Sequence, residues 1–138
     1  MDVETVTIYH LIKSEDLNHH GTLFAGRSAE WFVESGFIAA ARLVPPEWLL
    51  CLKIHGMKFT TPVHCGEIIC FESKVVHTGR SSLVCYIQVV REAKLVLEGF
   101  ITFVYVDQEG KSRAHAIVIT PVRAEDMELQ RRAQSLPK

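Results

Sequence analysis

One long segment with helical periodicity, residues 26–43, constrains the fold more than any other feature of the chain. Small and apolar residues recur there at helical spacing, and Pro45-Pro46 directly afterwards ends the helix. The segment is apolar nearly all round, because Trp31 and Ile38 lie off its main apolar stripe. A helix of this kind is usually buried on more than one side. Since one sheet covers one side, we expect a second copy of the chain to cover part of the remainder.

The rest of the chain up to residue 106 has the composition and spacing of β-strands. The predicted strands are residues 5–12, 50–60, 67–77, 82–91 and 94–106. Short turns join the last four strands, which favours antiparallel pairing. A charged tail from Ala124 favours a short helix. We therefore predict one α+β domain over residues 1–138, with its core at about 5–115 and the tail at about 124–138. In this domain a central helix is wrapped by an antiparallel sheet of about five strands.

The composition is that of an ordinary globular protein, with 48% hydrophobic and 22% charged residues and a formal net charge of −1. Such a chain lacks the excess charge that attracts nucleic acid or an anionic membrane. We see no apolar span or leader, and expect a cytoplasmic protein. The four cysteines form no C-x-x-C pair and lie in strand-like surroundings, which favours buried free thiols over a zinc site.

The segment from Asp16 to Gly26, DLNHHGTLFAG, resembles the loop-to-helix signature of hotdog-fold acyl-CoA thioesterases. MKFTTPV at 57–63, followed by Gly66-Glu67, is similar to a strand pair of that family, and TGRSS at 78–82 to its turn before the fourth strand. Residues 103–107 and the turn at Gly110-Lys111 resemble its last strand and turn. These motifs occur in the family's order over roughly residues 5–115.

The resemblance implies a hotdog fold that assembles at least as a homodimer, with sites at the dimer interface. It also implies hydrolysis of an acyl-CoA substrate to free acid and CoA, without a metal or redox cofactor. Nothing in the sequence indicates the acyl chain length, or distinguishes a dimer from a tetramer or hexamer.

Thioester hydrolysis requires a group that polarises the carbonyl. Gly26 occupies the position of the family's second motif glycine, at the predicted start of the helix, where free N–H groups favour a developing oxyanion. Ala25 replaces the first glycine but keeps its N–H. Asn18 matches the motif asparagine that in relatives lies near the thioester or the attacking water, although a turn-forming role is an alternative.

A carboxylate is also needed, and here the chain departs from the family pattern. The acid usually lies twelve residues after the first motif glycine, which from Gly21 is Val33. Glu30 and Glu34 flank that position as i, i+4 partners on similar sides of the helix. We predict Glu34 as the catalytic acid because several relatives carry Glu directly after their Asp, and we keep Glu30 as the alternative.

The turn at 79–82 is the predicted CoA-binding element. Gly79, Arg80, Ser81 and Ser82 offer a guanidinium, hydroxyls and turn N–H groups to a phosphate, and the resemblance implies the same role. Lys111 and Arg113 add positive charge.

Other functions remain open at this point. A non-catalytic acyl-CoA or acyl-carrier binder that lost its acid would explain Val33. A dehydratase of the same fold would need a histidine on the helix, and residues 26–44 contain none. A Ser-His-Asp hydrolase is disfavoured because no G-x-S-x-G motif is present. His19 and His20 are weaker candidates for a general base.

Overall fold

Five antiparallel strands wrap one long helix in the computed structural model, which describes residues 1–137. The strand order across the sheet is β1-β3-β4-β5-β2. The elements are β1 (Val6–Leu11), α1 (Ala25–Ala41), β2 (Leu49–Ile54), β3 (Ile68–Thr78), β4 (Ser82–Arg91), β5 (Lys94–Tyr105) and α2 (Ala124–Gln134). The predicted α+β architecture, a helix within an antiparallel sheet, is confirmed.

Helix α1 buries one face against the sheet. Phe32 is fully buried, and Gly36 allows close packing, since a Cβ there would lie 3.1 Å from Cδ1 of Ile87. The buried hydroxyls of Ser35 and Ser73 join helix to sheet: Ser35 Oγ donates to Ser73 Oγ at 2.9 Å, and Ser73 Oγ donates to the Ser35 carbonyl at 2.8 Å. These bonds set the rotation of α1 about its axis.

The opposite face of α1 is uncovered in the single chain. Glu30, Glu34 and Ile38 are all exposed there. The expectation that one sheet covers one side of this helix is therefore correct, and the apolar side chain of Ile38 is exposed to solvent in the single chain.

Strand β2 is shorter than predicted. It ends at Ile54 instead of Thr60, because the His55 N–H makes a last bond to the Phe100 carbonyl and Gly56 then turns the chain at φ +97°. Residues 55–63 leave the sheet and form a wall beside α1. As an edge strand, β2 carries the exposed side chains of Leu50 and Leu52.

Helix α2, predicted from the charged tail, packs on the outer face of the sheet. The Lys74 ammonium lies 2.5 Å from the buried Asp126 carboxylate, and Gln130 Nε2 donates to the carbonyls of Val76 and Ile119 at 3.0 and 2.9 Å. Among residues 1–137, neither α2 nor another helix has the length and apolar character needed to cross a membrane.

The prediction that all four cysteines are buried is wrong. Cys51 and Cys65 are exposed and Cys70 is half-buried, because alternate residues of an edge strand and residues of a turn face solvent. Cys85 is fully buried, its thiol donates to the Gly36 carbonyl at 3.3 Å, and burial raises its pKa. All four are free thiols.

Candidate active site

A cavity of about 350 Å³ lies beside the N-terminus of α1. The loop that precedes the helix, the wall that follows β2, and the sheet enclose it. Its apolar lining is Leu23, Ala25, Phe59, Pro62, Val63, Ile69, Val89, Val96 and Leu97, and its polar lining is Asn18, Thr22, Ser28, Thr60 and Thr61. No ionisable side chain is part of this lining. Within residues 1–137 no group of three or more His, Cys, Asp or Glu side chains is placed to hold a metal ion.

The backbone N–H groups of the first residues of α1 point outward from the N-terminal end of the helix. Phe24 precedes the helix without a side-chain cap, and its carbonyl accepts the N–H groups of Arg27 and Ser28 at 3.0 and 3.1 Å. The N–H groups of Ala25 and Gly26 have no acceptor in the part of the chain that the structure describes. Free donors at a helix start are suited to stabilising an oxyanion.

The Phe24 ring lies against the backbone of Gly26. A Cβ at residue 26 would lie 2.6 Å from Cε2 of Phe24, so a side chain there would displace the ring. The predicted oxyanion residue therefore lies at the helix start and next to the cavity, under an exposed aromatic side chain.

Asn18 lines the cavity and also forms the turn that the sequence suggested as its alternative role. Its Oδ1 accepts the N–H groups of His20 and Thr22 at 2.9 and 3.2 Å, and its Nδ2 donates to Thr22 Oγ1 at 3.1 Å. The amide is thus held in one orientation at the cavity. His19 and His20 are exposed in the same loop.

Asp16 is a site residue for which the sequence suggested no role, although it begins the quoted motif. Its buried carboxylate accepts the Lys13 N–H at 2.9 Å and lies 3.4 Å from Nε of Arg27 on α1. Its carbonyl accepts the Phe24 N–H at 2.9 Å. Asp16 therefore fixes the motif loop to the start of the helix.

Neither candidate glutamate lines the cavity. Glu34 is exposed on the β1 side of α1, near Trp31, whose ring stacks on His10 at 4.0 Å. Burial lowers the pKa of His10, and the charge of Glu34 opposes that shift. Glu30 is exposed as well.

Val33 is half-buried and packs against the core. It lies on the same side of α1 as Phe37, whose ring meets Phe103 of β5 edge-on at 5.8 Å. At about 100° per residue, Glu30 lies about 60° and Glu34 about 100° round the helix from Val33.

The predicted CoA-binding turn is tightly built. The Gly79 N–H donates to both the carbonyl and the hydroxyl of Ser82, each at 3.1 Å, and a Cβ at residue 79 would lie 2.6 Å from that hydroxyl. The Ser81 carbonyl accepts the Tyr105 N–H at 2.8 Å. Arg80 at the tip is exposed. The Ser82 hydroxyl therefore accepts a hydrogen bond within the turn, which leaves its O–H as a donor.

Arg113 lies beside this turn, and the sequence did not indicate which side chains surround it. Its guanidinium carbon lies 4.2 Å from the ring centre of Tyr105 and 5.5 Å from that of Trp48, and its buried Nε has no hydrogen-bond partner among residues 1–137. Of the eight arginines, Arg80 and Arg113 alone form no ion pair within the described residues. This end of the described chain thus carries two guanidinium groups that form no ion pair.

The cavity and the Arg80 turn lie at opposite ends of one chain. Ile69 and Val89, which line the cavity, lie near the start of β3 and near the end of β4, and the turn joins the other ends of these strands. Strands of 11 and 10 residues separate the two by about 30 Å. One chain therefore does not bring the predicted oxyanion and phosphate sites together.

A model of the thioesterase superfamily matches residues 20–98. An uncharacterized acyl-CoA thioester hydrolase of Bacillus subtilis is 30% identical over 102 residues, which are 70% of this chain and 59% of that protein, so the match spans less than two thirds of the relative's length. The acyl-CoA thioester hydrolase YciA of Escherichia coli is 27% identical over 108 residues, 72% of this chain and 81% of that protein.

Solved structures have the same architecture. An acyl-CoA hydrolase from Bacillus cereus superposes with a TM-score of 0.87 at 26% identity, covering 94% of this chain and 82% of that one. A hexameric acyl-CoA thioesterase superposes with a TM-score of 0.85 at 26% identity, covering 95% of this chain and 86% of that one. A hexameric thioesterase from Yersinia pestis superposes with a TM-score of 0.72 at 28% identity, covering 80% of this chain and 93% of that one.

Proposed function

The chain belongs to the thioesterase superfamily, and from this premise we propose that it hydrolyses the thioester of an acyl-CoA to a free acid and CoA. One observation carries the proposal. A cavity with a mainly apolar lining opens beside two backbone N–H groups that have no acceptor within residues 1–137, at the start of a helix. An acyl chain fits the apolar part, and the thioester carbonyl then lies at the N–H groups.

Asn18 and Gly26 have separate roles in this proposal. The Gly26 N–H stabilises the negative charge that develops on the carbonyl oxygen. The amide of Asn18, fixed by Thr22, borders the same cavity and can hydrogen-bond the carbonyl or the attacking water.

The carboxylate comes from the exposed face of α1, with Glu34 as the first candidate and Glu30 as the second. The cavity lining of one chain contains no carboxylate, and in this proposal a second chain brings one to it. The uncovered face of α1 and the unpaired edge of β2, with Leu50 and Leu52 exposed, are the surfaces that a second copy would cover.

Pairing of two β2 strands about a two-fold axis accounts for the separated subsites. Such an axis reverses the strand direction, so the helix start of one chain and the Arg80 turn of the other lie at the same end of the joined sheet. Arg80 and Arg113 then bind the CoA phosphates, since both guanidinium groups lack an ion pair in the described chain.

Steady-state hydrolysis of acyl-CoA substrates with short, medium and long chains tests the proposal. Glu34→Gln keeps the volume but cannot act as a base or nucleophile, so it should lower kcat by about 10²–10⁴-fold. Glu30→Gln is the matched control and should lower kcat by less than about tenfold. The converse result assigns the acid to Glu30, and wild-type rates in the double variant would rule out both.

A binder without catalysis is the second candidate, and Val33 is the observation that favours it. In that case the wild type binds acyl-CoA without turnover. Val33→Asp should then produce hydrolysis, because it restores the family's common acid. Circular dichroism must accompany this variant, since Val33 is half-buried and a new carboxylate there costs stability.

A further inference from the structure

A second cavity, of about 560 Å³, lies on the outer face of the sheet beneath the C-terminal end of α2. We call it the outer cavity. It shares no lining residue with the cavity of the candidate active site. Its volume is within the range of small-molecule sites, which is roughly 300–1,000 Å³. The side chains that give it a chemical character are Lys53, His55 and Thr102 at one end and Val84, Ala133 and Leu136 in the middle.

One cross-strand row forms the floor of the outer cavity. The row crosses β2, β5, β4 and β3 through the paired residues Lys53, Thr102, Val84 and His77. Adjacent strands lie about 4.8 Å apart, so the row spans about 14 Å from Lys53 to His77. The floor is rigid, because the backbone hydrogen bonds of the sheet fix the four strands.

The last turn of α2 and the residues after it form the roof of the outer cavity. Ala133 is buried in the same apolar cluster as Val84, and Leu136 packs against that cluster. The Lys53 ammonium donates to the Pro137 carbonyl at 3.4 Å, which joins the floor to the roof. The middle of the outer cavity is therefore apolar and suits a hydrocarbon chain.

The β2 end of the outer cavity is basic and carries hydrogen-bond donors. His55 Nε2 lies 2.7 Å from Thr102 Oγ1. Burial, together with the charge of Lys53, lowers the pKa of His55, so its ring is neutral at pH 7 and carries one N–H. No Asp or Glu lines the outer cavity within residues 1–137. An ammonium group and neutral donors without a carboxylate beside them are complementary to an anion.

We propose that the outer cavity binds an amphipathic carboxylic acid, with its carboxylate at the β2 end and its hydrocarbon chain between α2 and Val84. The carboxylate accepts hydrogen bonds from Lys53 and His55, and the chain covers the apolar middle of the cavity. The acid released by the proposed hydrolysis belongs to this chemical class, so its identification as the natural ligand rests on the proposed function. The binding itself does not, since it requires only the negative charge and the apolar chain.

Isothermal titration calorimetry with octanoate, on the full chain at pH 7 without CoA, tests the site. Lys53→Gln with His55→Gln should weaken binding by about tenfold or more, because the carboxylate loses both donors. The matched control, Lys94→Gln with His20→Gln, removes the same two side-chain types at exposed positions outside both cavities and should bind octanoate like the wild type. Octan-1-ol has the same chain without the charge and should bind about tenfold more weakly than octanoate.

Gln134→Glu is an independent variant at an exposed lining position of α2, where it does not disturb the core. Its carboxylate repels that of the ligand, so octanoate should bind about fivefold more weakly or worse. Gln108→Glu makes the same change in the exposed turn after β5 and should leave the affinity unchanged. This variant keeps the test decisive if the double variant at residues 53 and 55 does not fold.

Amide hydrogen exchange locates the bound octanoate. Exchange should become slower in residues 49–55 and 131–137. Protection confined to residues 18–28 and 57–63 would place octanoate in the candidate active site alone and overturn the proposal, as would wild-type affinity in the folded variants or a wild type that does not bind octanoate. These measurements involve no turnover, so a chain that binds octanoate in the outer cavity but hydrolyses no acyl-CoA would contradict the proposed function and support this site.

Discussion

The Arg91 guanidinium lies 3.2 Å from the Glu67 carboxylate and also donates a 2.9 Å hydrogen bond to the carbonyl of Pro62. The His64 N–H donates to the same carboxylate at 2.6 Å. That bond, with the Arg91 charge, holds the pKa of Glu67 below its ordinary value. On the other side, the Leu23 N–H donates to the Val63 carbonyl at 2.8 Å. The outer wall of the cavity is therefore fixed from two sides, by the end of β4 and by the motif loop.

Arg91→Ala should loosen this wall. We expect faster amide hydrogen exchange in residues 57–63 and a KM for acyl-CoA raised about fivefold with little change in kcat, because a partly exposed ion pair contributes up to about 1 kcal/mol. Arg91→Lys keeps the charge and should restore part of the effect. Unchanged exchange in this segment would show that Arg91 does not hold the wall.

Gly99→Ala should destabilise the fold by about 1–3 kcal/mol, since a Cβ there would lie 2.8 Å from the Gly56 carbonyl oxygen and 3.2 Å from Cζ of Phe32. Urea unfolding measures the difference. Gly26→Ala is the matched control: its Cβ meets the free end of the exposed Phe24 ring, which can move, so the free energy of unfolding should change by less than about 0.5 kcal/mol. Equal effects at both positions would contradict this distinction between backbone and side-chain contacts.

Arg113→Lys and Arg80→Ala should each weaken CoA binding by about 1–3 kcal/mol at low salt, and less at high salt because ions screen a partly exposed phosphate contact. Lysine keeps the charge of Arg113 but not the planar group that stacks on Tyr105. Isothermal titration calorimetry at two ionic strengths measures the loss. Arg42→Ala, which removes an exposed arginine already paired with Glu4, is the control and should bind like the wild type. Affinity that is unchanged at both salt concentrations would remove these arginines from the CoA site.

The stability of the fold should decrease as the pH falls below about 6.5, the ordinary pKa of histidine. Burial lowers the pKa of His10, His55 and His77, so the unfolded chain takes up protons at a higher pH than the folded chain does. The stabilisation is present above the unfolded pKa and is lost as the pH decreases. Urea unfolding at pH 7.5 and 5.5 measures the difference, and His77→Gln should reduce it. A free energy of unfolding that rises towards pH 5.5 would contradict the sign.

The elements of the fold could be predicted from local side-chain periodicity. Strand β4 was predicted at 82–91 and spans Ser82–Arg91, and α1 begins and ends within two residues of its predicted bounds. The spacing of apolar side chains and the identity of turn residues depend on neighbouring positions, so both can be read directly from the sequence. The resemblance implied that Asn18 and Gly26 belong to one site; in the structure Asn18 lines the cavity, and Gly26 follows the cavity residue Ala25 at the start of α1.

Contacts between distant segments could not be predicted in this way. The bonds from Arg91 to Pro62, and the position of Arg113 over Tyr105 and Trp48, depend on how β4, β5 and the wall after β2 come together. The exposure of Glu34 on the β1 side of α1 depends on the rotation of the helix, which is set by the packing of Phe32 and by the bonds of Ser35 to Ser73. A sequence pattern specifies that a helix has faces, but long-range packing determines the direction in which each face points.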